Sequence, residues 1–273
     1  MTVAQQFLEA ATKVVGADRL STQANVCRSA SRDYSWLSPI LSQKLPEGFA
    51  EGVVYPATTA ELSALVALAY ETDTPLTPRG KGTGNYGQSV PLHGGVVIDF
   101  SRMDQIIEIG PGYLKAQAGV PFEALEAAAR ETGQQLKIYP STVNSYLGGF
   151  ISGGSGGTGS VRHGFCWHGF VQALTVVPCL PGASPFTVEG EATLDYIHTY
   201  GTTGLIAEAT VGLEPLQDWT GIFAAFPADR WQAACEAGKE LMKLPTTPRL
   251  LSIDQPGFLR FYRPHPGMPR EQI

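Results

Sequence analysis

The chain has 273 residues, of which 43% are hydrophobic and 16% charged, the balance of a folded globular protein rather than a disordered one. Its net charge of −6 and pI of about 5.4 exclude a general nucleic-acid binder, which needs clustered Lys and Arg for phosphate contacts. The cysteines are scattered without a CxxC pair, so the sequence predicts neither a zinc site nor a disulfide framework.

The first residues predict an amphipathic helix rather than a targeting or membrane segment. Glu9 and Lys13 interrupt the apolar positions of residues 1–16, and no signal-peptide pattern precedes them. No stretch elsewhere approaches the roughly 18 apolar residues of a spanning helix. We therefore expect a cytoplasmic protein without a transmembrane segment, and the sequence leaves peripheral attachment to a membrane open.

A strand and a helix are predicted next, after an irregular lead-in arm. Residues 17–50 are polar and lack a clear period, whereas residues 51–56 have the composition of a short buried strand. Thr58 and Glu61 have the spacing of a capping box. Apolar residues at helical spacing then predict a helix over residues 59–72.

Further strands follow, separated by turn signals. Residues 75–80 predict a strand that runs directly into a glycine-rich loop. Three more strands are predicted in succession, at residues 96–100, 105–109 and 114–119. Pro121 suits the first turn of the helix that comes next. The inner face of that helix is formed by Phe122, Leu125 and Ala129.

The second half of the chain completes an α+β or α/β domain that ends near residue 217. It contains a second glycine-rich region at residues 148–159 and strands at residues 173–180 and 205–216. Beyond this domain the sequence predicts a strand, a helix and a strand at residues 220–227, 228–244 and 249–254, and then an unstructured end at residues 263–273.

The strongest local signal is a loop in which three glycines stand at alternate positions directly after a strand. Without Cβ atoms, its successive N–H groups can approach an anion closely, and a pyrophosphate is the natural guest. The other interpretation is a mobile turn. The loop is neither a Walker loop nor a GxGxxG turn that opens a helix. Its residues are Pro78, Arg79, Gly80, Lys81, Gly82, Thr83, Gly84 and Asn85.

A second signal combines small hydroxyl residues with bare backbone, which suits the lining of a phosphate or ring edge. A low-complexity linker is the alternative, but the apolar Phe150 and Ile151 lie inside the run and predicted strands flank it. The signal comprises Pro140, Ser141, Thr142, Gly148, Gly149, Gly153, Gly154, Ser155 and Gly156.

These motifs resemble the FAD-linked oxidase family, of the vanillyl-alcohol oxidase and p-cresol methylhydroxylase (PCMH) type. The likeness covers residues 50–217 and is greatest to the glycolate oxidase and D-lactate dehydrogenase flavoprotein subunits. Four segments carry it in the family's order: the first glycine loop, Leu147–Ile151, Ser160–Gly164 and Gly201–Thr210.

The resemblance implies an α+β fold, in which a PCMH-type FAD-binding domain of two subdomains holds an extended FAD. Residues 79–85 would wrap the pyrophosphate, and residues 140–146 and 153–156 would contact the diphosphate and the flavin side. Ser160 and Gly204 would also lie at the cofactor, and Ile206 would meet it through its backbone. Thr83 stands where covalently flavinylated members have a histidine, so the FAD is expected to be non-covalent.

Oxidation of an alcohol also needs a proton acceptor, a role that suits histidine near neutral pH. His163 and His168 follow the second glycine region and are the candidates, although a structural role for His163 is the stronger interpretation. The aromatic residues able to pack on flavin or substrate are Tyr139, Tyr146 and Trp167. Arg32 and Arg162 could bind a carboxylate, although surface arginine is the commoner outcome.

In the resembled family a cap domain follows the FAD domain and supplies much of the substrate pocket. The sequence therefore predicts residues 1–49 as a helix and lead-in arm, residues 50–217 as the FAD domain and residues 218–273 as a partial, truncated cap. A partner subunit or self-association would cover the apolar residues of this cap. They are Trp219, Phe223, Phe226, Trp231, Leu241, Leu250 and Phe261.

The leading hypothesis is an FAD-dependent oxidoreductase that oxidises a small 2-hydroxy acid, such as glycolate or D-lactate, by hydride transfer to flavin. The alternative is a non-catalytic FAD-binding subunit of a heteromeric complex. A cell-wall-precursor reductase is less favoured, because its usual Gly-Ser-Asn is absent from the first loop.

Overall fold

The computed structural model describes residues 2–182, 184–254 and 257. Phe261 and the predicted unstructured end, residues 263–273, lie outside the described residues. The described residues form an α+β fold that contains two β-sheets and the helices packed on them.

The N-terminal subdomain is built on a small sheet. Thr2 begins its first helix with a capping box shared with Gln5, and five apolar side chains of that helix are buried. The helices are α1 (Val3–Val15), α2 (Ala24–Ala30), α3 (Pro39–Lys44) and α4 (Thr59–Glu71). The strands are β1 (Leu20–Ser21), β2 (Gly52–Val54), β3 (Leu76–Arg79) and β4 (Val96–Asp99).

This sheet has the strand order β1-β2-β4-β3. β2 and β3 both run parallel to β4, whereas β1 is antiparallel to β2. Helix α4 connects β2 to β3 across one face, as a parallel crossover requires. The first glycine loop therefore leaves the carboxyl edge of a parallel strand pair, directly after Arg79.

The second subdomain is built on an antiparallel sheet. Its strands are β5 (Ile106–Gly110), β6 (Tyr113–Gln117), β7 (Gln134–Leu136), β8 (Val171–Val177), β9 (Phe186–Glu189) and β10 (Leu205–Pro215). Their order is β5-β6-β10-β8-β9, and β7 pairs with the far end of β10. The helices are α5 (Phe122–Glu131), α6 (Leu147–Gly153), α7 (Ser160–His163) and α8 (Trp231–Leu241). Short 3₁₀ turns lie at Ala17–Arg19, Phe100–Arg102, Gly190–Asp195 and Ala228–Arg230.

One large hydrophobic core joins the two subdomains, with side chains from α1, α4 and both sheets. Phe150 of helix α6 is part of it. Its ring packs edge-on against Phe122, with centroids 4.8 Å apart, and against Phe170, at 6.3 Å. This packing fixes α6 at the point where the two subdomains meet.

The structure corrects four predictions of local structure. The arm of residues 17–50 is not irregular, because it contains β1, α2 and α3. The capping box at Thr58 is only half formed, since Thr58 accepts a hydrogen bond from Glu61 N–H while the Glu61 carboxylate binds Arg19 and Ala57 N–H instead. Pro121 is the residue before α5 rather than within its first turn. The fourth correction is that helix α6 runs through the second glycine-rich region.

The predicted strand–helix–strand unit is also not formed. Helix α8 is present, but residues 220–227 and 249–254 contain no strand. A strand needs a neighbouring strand for its backbone hydrogen bonds, and no described segment supplies one here. Ile222 is 85% exposed as a result. Among the described residues, no helix has the length and apolar character needed to cross a bilayer.

Candidate functional site

A cleft lies where the first glycine loop faces helix α6 and the start of β10. Each of the two subdomains contributes one wall. Most of the predicted cofactor-contacting residues line it: Pro78, Arg79, Gly80, Lys81, Gly82, Thr83, Gly84, Asn85, Pro140, Thr142, Gly148, Gly149, Gly153, Ser155 and Ile206.

Arg79 and two residues of the N-terminal arm shape the first glycine loop. Gly82 has φ +72°, and a Cβ built there would lie 2.1 Å from Nη2 of Arg79, so the guanidinium is folded beneath the loop. Nη1 of Arg79 donates to Ala30 O at 3.1 Å. Tyr34 N–H donates to Gly84 O at 2.8 Å, and Asp33 accepts from Gly87 N–H at 3.1 Å. The arm thus holds the loop in one conformation.

Positive charge at the first loop comes from Arg79 and Lys81. Burial lowers the pKa of Arg79 from its usual value, while the carboxylates of Asp99 and Asp33 act in the opposite direction. A guanidinium remains charged at neutral pH after such a change. Lys81 is exposed, with Nζ 5.7 Å from the centre of the Tyr146 ring. The loop therefore combines bare backbone with two cations, a combination that suits a pyrophosphate.

Glycines also form the opposite wall. A Cβ on Gly148 would lie 2.7 Å from Cβ of Ala118, so this glycine lets α6 pack against the end of β6. A Cβ on Gly149 would meet no atom within 4 Å, because this position faces the open cleft. A Cβ on Gly80 would lie 3.7 Å from Cα of Gly149. The two walls therefore come close together at Gly80 and Gly149, whereas a side chain on Gly149 would project into the open part of the cleft.

Three hydroxyl groups connect the two walls. Oγ1 of Thr83 lies 3.0 Å from Oγ of Ser145, which donates in turn to Oγ1 of Thr142 at 2.8 Å. All three residues line the cleft. Hydroxyl groups both donate and accept hydrogen bonds, so this row can contact phosphate oxygens or the edge of a ring.

Ser145 and Tyr146 line the cleft and lie within residues 140–146, which were predicted to contact the cofactor. Tyr146 precedes α6, and burial raises the pKa of its phenol. Tyr200 and Gly201 also line the cleft but were not among the predicted cofactor contacts. No sequence motif marks Tyr200 as a residue of the cleft. It reaches the cleft because residues 198–200 pack on the end of α6, a contact that only the folded structure shows.

Five predicted residues lie outside the lining. Three of them have evident packing roles. Gly154 has φ +62° and ends α6, and Ser160 Oγ accepts from Gly157 N–H at 2.8 Å. A Cβ on Gly204 would lie 2.6 Å from Cγ1 of Val176. The five are Ser141, Gly154, Gly156, Ser160 and Gly204.

The two histidine candidates also do not line the cleft. Nε2 of His163 lies 3.1 Å from Oε2 of the buried Glu214, whose other oxygen accepts from Gln135 at 2.8 Å. Nδ1 of His168 accepts from Phe165 N–H at 3.0 Å. Arg162 binds Gln217 and Glu214, with its guanidinium 5.3 Å from the Trp219 ring. Arg32 is exposed.

Comparison with known proteins identifies the domain. Residues 50–179 match the family described as FAD binding domain. An FAD-linked oxidoreductase of Mycobacterium tuberculosis is 32% identical over 171 residues, which are 60% of this chain and 37% of that protein. The glycolate oxidase subunit GlcD of Bacillus subtilis is 28% identical over 239 residues, 83% of this chain and 49% of that protein. The D-lactate dehydrogenase of Archaeoglobus fulgidus is 25% identical over 217 residues, 76% of this chain and 48% of that protein.

Solved structures support the same fold. An alkyldihydroxyacetonephosphate synthase structure superposes with a TM-score of 0.67 at 21% identity, over 77% of this chain and 40% of that one. The chain spans about half or less of the length of these relatives. The glycine-walled cleft, its two cations and its row of hydroxyl groups fit the pyrophosphate of FAD. Residues 50–179 therefore form a PCMH-type FAD-binding domain with FAD as its cofactor, in a chain similar to FAD-linked oxidoreductases.

Proposed function

We propose that this protein is an FAD-dependent oxidoreductase that oxidises the CH–OH group of a small 2-hydroxy acid, of the glycolate or D-lactate type. The observation that carries the proposal is the glycine-lined cleft between the two subdomains, which is lined by the first glycine loop on one side and by helix α6 on the other. FAD supplies the hydride-accepting chemistry when it is bound there.

The residues of the chain would hold and orient the cofactor. N–H groups of Gly80–Gly84 approach the pyrophosphate, and Arg79 and Lys81 provide the opposite charge. The hydroxyl groups of Thr83, Ser145 and Thr142 would hydrogen-bond the cofactor along the floor of the cleft. Ile206 contacts the cofactor through its backbone at the start of β10, where the side chain is buried.

The substrate class rests on the relatives. Two of them are named D-lactate dehydrogenase and glycolate oxidase subunit. A D-2-hydroxyglutarate dehydrogenase of Escherichia coli is 36% identical over 121 residues, 42% of this chain and 12% of that protein. All three names refer to 2-hydroxy acids.

The competing function is a flavin-binding subunit that needs a partner for catalysis. Both predicted histidine bases lie outside the cleft, and the segment after β10 leaves large apolar side chains exposed. A subunit that lacks the rest of its substrate pocket would have these features. In this function the chain binds FAD but has no turnover of its own.

Anaerobic titration of the FAD-loaded chain tests the proposal. Glycolate, D-lactate and D-2-hydroxyglutarate are added in turn while the flavin absorbance near its visible maximum is followed. The proposed function predicts bleaching by at least one acid of this panel and, where that acid is chiral, none by its L enantiomer. Full FAD loading without bleaching by any acid of the panel supports the subunit function instead.

A further inference from the structure

A tyrosine–histidine pair that the predicted site does not include lies at the edge of the cleft. Tyr200 lines the cleft, and its Oη lies 3.0 Å from Nε2 of His198. The two rings meet edge to face, with centroids 5.3 Å apart. His198 itself is exposed, so the pair leads from the cleft to solvent.

Both residues have a backbone conformation that non-glycine residues rarely adopt. His198 has φ +61° and Tyr200 has φ +55°, and among the described residues Asp73 is the only other non-glycine residue with positive φ. Side chains other than glycine are strained in this region, so surrounding contacts must hold such residues in place. Residues of this kind are concentrated at functional sites.

The contacts that hold the pair come from helix α6 and from an aromatic ring. His198 N–H donates to Ile151 O at 3.1 Å, and Tyr200 N–H donates to Ser152 O at 3.0 Å. A Cβ on Gly154 would lie 2.3 Å from the imidazole, so that glycine makes room for it. The Trp167 ring is parallel to the imidazole within 4°, at a centroid distance of 6.2 Å. The histidine ring is therefore fixed in its orientation toward Tyr200.

We propose that Tyr200 and His198 form the proton-accepting pair of the flavin site, an inference that rests on the proposed function. As the substrate C–H bond breaks, its electron pair leaves as hydride to FAD, the oxidant. The substrate O–H bond breaks and C=O forms. Oη of Tyr200 takes that proton while its own proton moves to Nε2 of His198, and the protonated imidazole releases a proton to solvent from Nδ1.

In this arrangement Tyr200 is the catalytic residue, and His198 positions it and receives its proton. Two charged side chains, Arg79 and Lys81, line the same cleft. Ser152 and Gly153, at the end of α6, line the cleft beside Tyr200. The Trp167 ring, which is stacked on the imidazole of His198, also contacts His168, with the Trp167 and His168 ring centroids 5.6 Å apart.

The test compares Tyr200→Phe and His198→Gln with two exposed controls outside the cleft, Tyr70→Phe and His93→Gln. Three quantities are measured: the Kd of FAD, the Kd of oxalate from its effect on the flavin spectrum, and the rate of anaerobic flavin reduction by a hydroxy acid. Oxalate is a non-oxidisable analogue, so its Kd reports the contact to Tyr200 without turnover.

Tyr200→Phe should keep the Kd of FAD within about twofold of the parent value and raise the Kd of oxalate about tenfold. It should lower the rate of flavin reduction about 100-fold or more. Gln at residue 198 can still hydrogen-bond Tyr200 but cannot accept its proton. His198→Gln should therefore retain oxalate binding and slow reduction by a similar factor, which a merely structural role would not produce. Both control variants should have the same FAD Kd, oxalate Kd and rate of flavin reduction as the parent chain.

Two results would overturn the pair, and they are distinguishable. If hydroxy acids bleach the parent flavin and either variant is reduced within threefold of the parent rate, the pair is wrong and the proposed function stands. If no hydroxy acid bleaches the parent flavin, the proposed function is wrong and the pair falls with it.

Discussion

The hydroxyl oxygen of Thr83 lies 3.0 Å from that of Ser145, so the first glycine loop and the segment before α6 share a hydrogen bond across the floor of the cleft. Ser145 is buried and bonds Thr142 as well, which fixes its orientation. This row holds the two walls at a set separation. Thr83 therefore has a positioning role at the place where flavinylated members of the resembled family have a histidine.

We predict that the bound FAD is non-covalent. The hydroxyl group of Thr83 is already hydrogen-bonded to Ser145, and residues 78–85 include no histidine that could attach the flavin. Acid precipitation of the FAD-loaded chain should release all of the yellow colour into the supernatant. A fluorescent flavin band that migrates with the protein on a denaturing gel would contradict the prediction.

Gly149→Ala should separate FAD binding from folding. Its Cβ would meet no protein atom within 4 Å but would project into the cleft that Gly149 lines. Ala is favoured over Gly within a helix by about 0.5–1 kcal/mol, so the apoprotein should be as stable as the parent or slightly more so. We expect the Kd of FAD, measured by flavin fluorescence, to rise at least tenfold.

Gly221→Ala is the matched control for that variant. A Cβ at Gly221 would make only an ordinary contact of 3.7 Å with the Phe223 ring, and Gly221 does not line the cleft. Its FAD affinity should equal that of the parent chain. Unchanged FAD affinity in Gly149→Ala would show that the cofactor does not contact the cleft at Gly149.

The first glycine loop could be predicted from sequence because its signal is local. Alternating glycines after a strand need no distant partner to be recognised, and Gly80, Gly82 and Gly84 all line the cleft. Helix α6 could not be predicted in this way, since glycine disfavours helices. Burial of Leu147, Phe150 and Ile151 in the common core overrides that preference.

Long-range contacts explain the remaining differences. His163 has the residue type of a base, but the buried Glu214, 51 residues away, places it outside the cleft. His198 and Tyr200 belong to no glycine motif, and backbone bonds to α6 bring them to the site. Residues 220–227 have an apolar composition typical of a strand but no neighbouring strand in the part of the chain described. Composition cannot show whether such a neighbour exists.

The Arg19–Glu61 pair should make stability depend on pH. Two hydrogen bonds from Arg19, at 2.6 and 2.7 Å, lower the pKa of Glu61, and Ala57 N–H adds a third. A carboxyl group with a lowered folded-state pKa contributes its full stabilisation above its unfolded pKa, about 4.3. That contribution disappears as the pH falls through the folded value.

Glu61→Gln measures this contribution. At pH 7 the substitution should lower the free energy of unfolding by about 1 kcal/mol, the size of a well-formed exposed pair. The difference from the parent chain should shrink below about pH 4. Urea unfolding at pH 7, 5 and 3 checks this, and an equal difference at all three pH values would contradict it.

Arg249 should anchor the C-terminal segment to the FAD domain. Its buried guanidinium donates to Leu136 O at 2.6 Å and to Gln135 Oε1 at 3.3 Å, and lies 4.9 Å from the Tyr139 ring. Gln135 also accepts from Trp219, so both ends of residues 219–249 are held at one place. Arg249→Ala should therefore lower the free energy of unfolding, measured in urea, by about 2 kcal/mol.

Lys243→Ala is the control for Arg249→Ala. Lys243 forms an exposed ion pair with Glu240 on the same segment, and such pairs contribute little. The free energy of unfolding of Lys243→Ala should lie within about 0.5 kcal/mol of the parent value. Limited proteolysis should cut the segment between residues 219 and 249 faster in Arg249→Ala alone. Equal cleavage of both variants would show that Arg249 does not anchor it.

We predict that the 273-residue chain binds FAD, oxidises hydroxy acids only slowly, and self-associates. Phe223, Trp231, Leu241 and Leu250 are exposed, and the predicted strands at residues 220–227 and 249–254 are not formed. A large exposed apolar surface is normally covered by more protein, here the rest of a cap or another subunit. Light scattering coupled to gel filtration should therefore show species larger than 29.2 kDa. A monomer that turns over hydroxy acids at about 10 per second would reject this prediction and place a complete active site, the Tyr200–His198 pair included, within the FAD domain.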